Sequence, residues 1–242
     1  GKSINNITIN NGKAYLACSF GIIELDTDKK EIANTFYLNA DANLNVNDVS
    51  FSGDSVYAAT AIGLFSANMN DNLLDYQSWQ LVIENIAIER LEHAYNKTYF
   101  ITEAMRTIYS YSSQGKDSII DIDNLKFIKS NDNRLFVGAQ SKLMELKEND
   151  IITTIKESSY LYKISDVIAD NNVYWVSDEI RSLVKIRENL TLKDYQPSGP
   201  LTNRAFSTSL GDDKTFLSPG GVSVQWNNNN TYQGFHWSDG YD

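Results

Sequence analysis

Apolar residues come along this chain in short runs that alternate with polar ones and are cut by Gly, Asn and Asp. Residues 46–67, VNDVSFSGDSVYAATAIGLFSA, show the unit. Val46, Val49 and Phe51 lead to a Gly53-Asp54 turn signal, and Val56 to Thr60 form a second run. Gly63 breaks the chain again before Leu64-Phe65 opens a third. Strand, tight turn, strand, tight turn, strand predicts an antiparallel meander. A lone meander of this size cannot bury its apolar face, so it must stack on something.

The chain supplies that something by repetition. Ile7, Val49 and Leu91 follow one another at intervals of 42, and Gly21 lies 42 before Gly63. Each anchor has an aromatic partner eight positions on: Tyr15, Tyr57 and Tyr99. Ile128 and Phe136 continue the series. Val167 is read as paired with Tyr174 across a turn one residue shorter, and Phe206 with Phe216 across a longer one. A period near 40 with several short strands per copy predicts propeller blades. Helical repeats of this length need 3.6-residue patterning, whereas these segments alternate with period two. β-Branched runs such as Ile151–Ile155 also favour strand. NLLDYQSW, 72–79, is read as a turn leading to an outer strand at 79–82.

The expected fold is therefore all-β: a β-propeller with about six readable four-stranded blades, taken as part of a seven-bladed propeller. Residues 1–242 are read as one propeller domain or an interior fragment of one. The blades fall at about 2–40, 46–85, 88–123, 125–159, 160–199 and 201–242. Small residues at Ala58, Ala59 and Gly63 are expected where blades crowd toward the axis. Trp79 and Trp175, inside strand patterns, are expected to pack between blades.

Charge narrows the partners. The 31 acidic against 21 basic residues give a net charge of −10. That argues against nucleic acid or an anionic membrane surface as a charge-driven partner, while leaving glycans open. No apolar run reaches the length of a membrane span. Cys18 is the lone cysteine, read as a small core residue.

Little in the chain points to catalysis or metal. The two histidines, His93 and His236, lie in different copies, which disfavours a histidine-built zinc site or a Ser/His/Asp triad. Asp26 and Asp28 have calcium-like spacing but lack the glycine and distal glutamate of such a loop, so a plain turn is expected. Asp48 and Asp166 occupy equivalent places on inner strands, and acids near a propeller axis can serve glycoside hydrolysis. The other copies carry Asn6, Arg90 and Phe127 there, so a hydrogen-bonding role toward neighbouring backbone is preferred. No cofactor and no metal are expected. Trp226, Tyr232 and Trp237, around the 227–230 Asn run, are the candidate binding residues, because exposed aromatics suit sugar or protein contact.

INNITINNGKAYLACSFGIIELD (4–26), the stretch 46–67 and NLLDYQSW together resemble the N-terminal propeller of PorZ-type proteins of the Bacteroidetes type IX secretion system. SPGGVSVQW at 218–226 and HWSDGYD at 236–242 are similar to that family too. The resemblance implies a non-enzymatic protein, outer-membrane associated at the cell surface or periplasmic. It implies a complex with a sortase-like protease and an outer-membrane partner, and a part in attaching cargo to anionic lipopolysaccharide. It carries over no catalytic residues, and it makes the chain an interior fragment of a longer protein. Motifs of the YAAT-x-x-GLF kind also occur in sensor propellers of hybrid two-component regulators. A polysaccharide-sensing periplasmic propeller is therefore the alternative, and a propeller glycoside hydrolase or lyase a third reading.

Overall fold

The computed structural model describes residues 2–102, 104–112, 114–187, 189–195, 205–211, 214–219 and 236–238. The chain divides into two compact units, Gly1–Asp194 and Tyr195–Asp242.

The first unit holds five four-stranded antiparallel sheets, each a meander in chain order. The first comprises β1 (Ile4–Asn10), β2 (Lys13–Cys18), β3 (Gly21–Asp26) and β4 (Glu31–Phe36). The second comprises β5 (Val46–Ser52), β6 (Ser55–Thr60), β7 (Gly63–Asn68) and β8 (Gln80–Glu84). In the third are β9 (Ile88–Ala94), β10 (Lys97–Thr102), β11 (Thr107–Ser112) and β12 (Gly115–Asp121). In the fourth are β13 (Leu125–Asn131), β14 (Arg134–Ala139), β15 (Lys142–Leu146) and β16 (Ile152–Glu157). The fifth has β17 (Ile164–Asp170), β18 (Val173–Asp178), β19 (Ser182–Ile186) and β20 (Leu192–Tyr195). The second unit holds one three-stranded sheet of β21 (Ala205–Gly211), β22 (Lys214–Pro219) and β23 (His236–Ser238).

This is an all-β propeller built of four-stranded blades, with a correction to their number. Among the described residues five blades are complete, not the six or seven expected. The sixth copy is three-stranded among the described residues, which leave out 220–235.

One hairpin geometry recurs in every copy. Ile7 pairs with Leu16, Val49 with Ala58, Leu91 with Phe100, Ile128 with Val137 and Val167 with Val176. Each anchor thus meets the residue nine places on, across a two-residue turn, with a bulge near the outer end of the hairpin. Asn11 and Gly12 adopt φ of 48° and 73°, the two positive angles that such a turn demands. The shorter turn expected at Val167 is absent. Trp175, not Tyr174, holds the place of Tyr15, Tyr57, Tyr99 and Phe136. In the second unit Thr208, not Phe206, takes the anchor place, pairing with Leu217.

The core lies between successive blades, in four apolar clusters for four interfaces. Tyr15 and Phe36 of the first sheet meet Val56 and Phe65 of the second, and Trp79 is buried among them. Leu64 meets Phe100, Tyr99 meets Leu135, and Phe136 meets Tyr174 at 5.8 Å between ring centroids. Trp175 is half-buried, with the Lys185 ammonium 4.6 Å from its ring centroid. Cys18 is buried, as its small apolar neighbours suggest. Asp26 accepts the backbone N–H of Asp28 and Lys29, a plain turn. Residues 76–78 form one short 3-10 turn ahead of β8.

Arg134 fastens the fourth blade to the fifth. Its guanidinium makes two hydrogen bonds to Glu145, at 2.8 and 3.1 Å, and reaches the Asn171 carbonyl at 3.2 Å. It also lies 4.8 Å from the Phe136 ring centroid. Lys147 remains beside Glu145 if Arg134 is removed. Arg134→Met should therefore cost only about 1–2 kcal/mol, read as a shift of the urea midpoint at unchanged slope.

Candidate functional site

The first strands of successive blades stand side by side: β1 against β5, β5 against β9, β9 against β13, β13 against β17. Register places their residues in tiers. One tier is Asn6, Asp48, Arg90, Phe127 and Asp166. Two residues further along lies the tier Thr8, Ser50, Glu92, Lys129 and Ile168. The cleft formed by β1, β5, β9 and β13 has a volume of about 370 Å³, and polar side chains from both tiers line it.

Asp48 is 2% exposed and ties three blades together. Its Oδ1 accepts Asn6 Nδ2 at 2.6 Å and its own neighbour Val49 N at 2.8 Å. Its Oδ2 accepts Leu91 N of the third blade at 2.9 Å. Burial pushes its pKa up to about 6 against those three donors, and the Glu92 charge adds to the rise. Asp166, its counterpart in the fifth blade, is exposed and accepts Val167 N at 2.8 Å.

The upper tier carries the cleft's charge pair. Glu92 Oε2 accepts the Ser130 hydroxyl at 2.5 Å, and Lys129 Nζ stands 3.4 Å from Glu92 Oε1. Burial raises the Glu92 pKa, against the opposing pull of Lys129 and Ser130. Burial draws Lys129 down, but Glu92, Asp166 and Asp48 outweigh it and the net shift is upward. His93 also lines the cleft. Burial lowers its pKa against the opposing pull of a hydrogen bond to the Lys97 backbone, and its buried Nδ1 has no hydrogen-bond partner among the described residues. Side chains also bond across blades below the cleft, Asn5 Nδ2 to Val46 O at 2.7 Å and Asn47 Nδ2 to Ile88 O at 2.8 Å.

A pH dependence follows from Asp48. Its folded pKa lies above the unfolded value near 3.9, so its contribution to stability is full below about 4 and is lost as pH rises through about 6. Asp178 has the opposite sign: burial pushes its carboxyl up, but four backbone N–H donors hold it below its ordinary value. Its contribution is present above the unfolded pKa and lost as pH falls. Comparing wild type with Asp48→Asn cancels Asp178 and every other shared group. The wild type should gain on the variant as pH falls from about 7 to about 4 in urea titrations.

The geometry suits binding more readily than proton transfer. The Asp48 oxygens are occupied by N–H donors, and Glu92 is held by Ser130 and Lys129. Among the described residues no three His, Cys, Asp or Glu side chains gather as a metal-binding group. No helix among them is long and apolar enough to cross a membrane.

Trp226 and Tyr232 lie outside the described residues, and Trp237 falls on β23 with its side chain outside the description. Asp48 was visible in sequence as a repeat-position acid. Glu92, Lys129 and Ser130 were missed, and His93 was weighed only for a zinc site or a Ser/His/Asp triad. The signal that could have found them is register: Glu92 stands 42 residues after Ser50, and Lys129 follows at the same tier.

Comparison with known proteins places this architecture. Residues 1–80 match the family described as TSS9, PorZ, N-terminal beta-propeller domain. The PorZ-type resemblance holds. Among solved structures, the chain is similar to PorZ of Porphyromonas gingivalis, described as an essential bacterial surface component of the type IX secretion system. The TM-score is 0.67 at 18% identity over 91% of this chain and 30% of PorZ. This chain thus spans about a third of PorZ. It is also similar to the extracellular domain of a putative hybrid two-component system from B. thetaiotaomicron, at TM-score 0.60 and 10% identity over 97% and 33% of the two chains. A catalytically inactive variant of virginiamycin B lyase from Staphylococcus aureus superposes at TM-score 0.63 and 14% identity, over 94% and 83%. At these identities the likeness is one of fold. No curated protein sequence matches the chain.

Proposed function

We propose that this chain is a non-catalytic binding and scaffolding propeller of a PorZ-like component of type IX secretion. The observation that carries the reading is the family match over residues 1–80, joined to a PorZ-like fold over 91% of the chain. In this reading the protein works at the cell surface or in the periplasm, beside a sortase-like protease and an outer-membrane partner. It helps attach cargo to anionic lipopolysaccharide through a surface other than the axial cleft, whose lining sets two acids against one lysine. The occupied oxygens of Asp48 support a binding role over a catalytic one.

A second reading is the extracellular propeller of a polysaccharide-responsive hybrid two-component regulator, favoured by the 97% coverage of this chain by such a domain. The full-length gene and a tagged copy of its product separate the two. Co-purification with type IX secretion proteins supports the first. A membrane-spanning helix and a histidine kinase in the same gene would establish the second and end the first.

A further inference from the structure

We propose that the corner of the fifth blade formed by Tyr162, Glu179, Ile180 and Arg181 is a two-fold contact between copies of this chain. The contact goes beyond the secretion reading, because no secretion protein takes part in it. The corner is built where the segment before β17 meets the turn between β18 and β19. Asp178, 3% exposed, holds both. Its Oδ2 accepts Tyr162 N at 2.8 Å and Lys163 N at 2.9 Å, and its Oδ1 accepts Ile180 N and Arg181 N, each at 2.9 Å. Two large side chains are thereby displayed on a fixed backbone, Tyr162 at 56% and Ile180 at 59% exposure. A single exposed apolar residue is ordinary, whereas two pinned by one buried carboxylate make a preorganised docking anchor.

Charge then selects the occupant. The Arg181 guanidinium lies over the Tyr160 ring, 4.4 Å from its centroid, and makes no ion pair among the described residues. On the other side of Ile180, Glu179 Oε2 accepts Lys163 Nζ at 2.7 Å, and Oε1 has no partner among the described residues. The apolar pair is thus flanked by an unmatched cation and a half-used carboxylate. An acidic partner or an anionic surface would satisfy Arg181 but meet Glu179 and a chain of net charge −10. A basic partner would meet Arg181 and Lys163. A second copy turned about a two-fold axis answers every group at once. Tyr162 and Ile180 cover their counterparts, and Arg181 in each copy meets Glu179 in the other. A carboxylate has acceptor sites for both the guanidinium and Lys163, so the Lys163 bond survives. Tyr and Arg are the residue types that dominate such contacts.

The patch is small, so self-association should be weak, with a dissociation constant of roughly 0.1–1 mM, within reach of sedimentation equilibrium on the full chain. Ile180→Asp and Tyr162→Ser should each raise that constant roughly tenfold. Ile62→Ser, at an exposed isoleucine on the matching turn of the second blade, should leave it unchanged. A swap tests the charges. Arg181→Glu places two acids on the turn and Glu179→Arg two arginines, so each variant alone should stay monomeric while an equimolar mixture forms a heterodimer. Near-UV circular dichroism verifies folding, and Ile180→Asp carries the test if a charge variant does not fold. A chain that stays monomeric to about 1 mM overturns the proposal. So does a dimer that Ile180→Asp and Tyr162→Ser leave intact, or a mixture of folded charge variants that associates no better than its components. A monomer that binds phosphatidylglycerol vesicles, and loses them on Arg181→Glu, would give the patch to an anionic surface and likewise overturn the second copy.

Discussion

Asp48→Ala should lower the free energy of unfolding by about 4 kcal/mol, whereas Asp166→Ala at the equivalent place in the fifth blade should cost less than about 0.5 kcal/mol. The two aspartates make the same local bond, to the backbone N–H of the next residue, at 2.8 Å in both cases. They differ in what lies across the blade boundary. Asp48 also accepts Leu91 N of the following blade and Asn6 Nδ2 of the preceding one. Alanine leaves two buried backbone donors and an amide with no acceptor, and each buried orphan costs on the order of 1–3 kcal/mol. Asp166 is exposed, so water takes over when its carboxylate goes. Asp48→Asn keeps one acceptor oxygen but turns an NH2 toward a donor, so it should fall between wild type and alanine. Urea unfolding of the three variants checks the order. Equal losses at 48 and 166 would remove Asp48 from its place as the tie between blades.

The repeat was legible because propeller burial acts on a fixed register. Val49, Leu91, Ile128 and Val167 are all nearly fully buried, and each must sit between two blades, so selection for apolar side chains leaves a visible ruler. Turn length was less legible. Trp175 follows Tyr174, both are aromatic, and spacing alone cannot say which one holds the place of Tyr15. The paired strands settle it through Ile168 opposite Trp175. Blade count was less legible, because a strand and a turn signal look the same whether or not a fourth strand follows; among the described residues five blades are complete.

The cleft was half legible for a related reason. Asp48 stood out as an acid recurring at one slot. The tier above it, Thr8, Ser50, Glu92, Lys129 and Ile168, shares a position but no residue type. In sequence each reads as an ordinary polar member of an alternating strand. Only the sideways stacking of first strands makes Glu92 and Lys129 neighbours, and that step is a tertiary fact. The buried Nδ1 of His93 is likewise a consequence of packing between blades, invisible to spacing.

Gly63→Ala is expected to destabilise the second blade by about 3–4 kcal/mol, and the reason differs from the one its sequence context suggests. Crowding of blades near the axis would make any small residue suitable there. The structure points instead to the blade's own next strand: a Cβ at Gly63 would lie 1.9 Å from the Ile83 carbonyl oxygen and 2.9 Å from a Leu81 methyl. The glycine also adopts φ of 149°, a conformation that side-chain-bearing residues rarely take. Relief requires moving backbone, since Ile83 pairs with Leu64 in the ladder between β7 and β8. Thr60 holds the other side of the site, its hydroxyl bonded to Gly63 O at 2.7 Å and to Gly63 N at 3.1 Å. The strain therefore passes into β8, whose Ile83 side chain packs against the third blade. Ala58→Gly, two strands' width from that carbonyl, should cost only about 1 kcal/mol, the backbone-entropy loss of any strand glycine. Hydrogen exchange on the β7–β8 amides distinguishes the explanations. Faster exchange confined to Gly63→Ala supports the carbonyl clash, and equal protection in both variants would return the glycine to a general requirement for small residues.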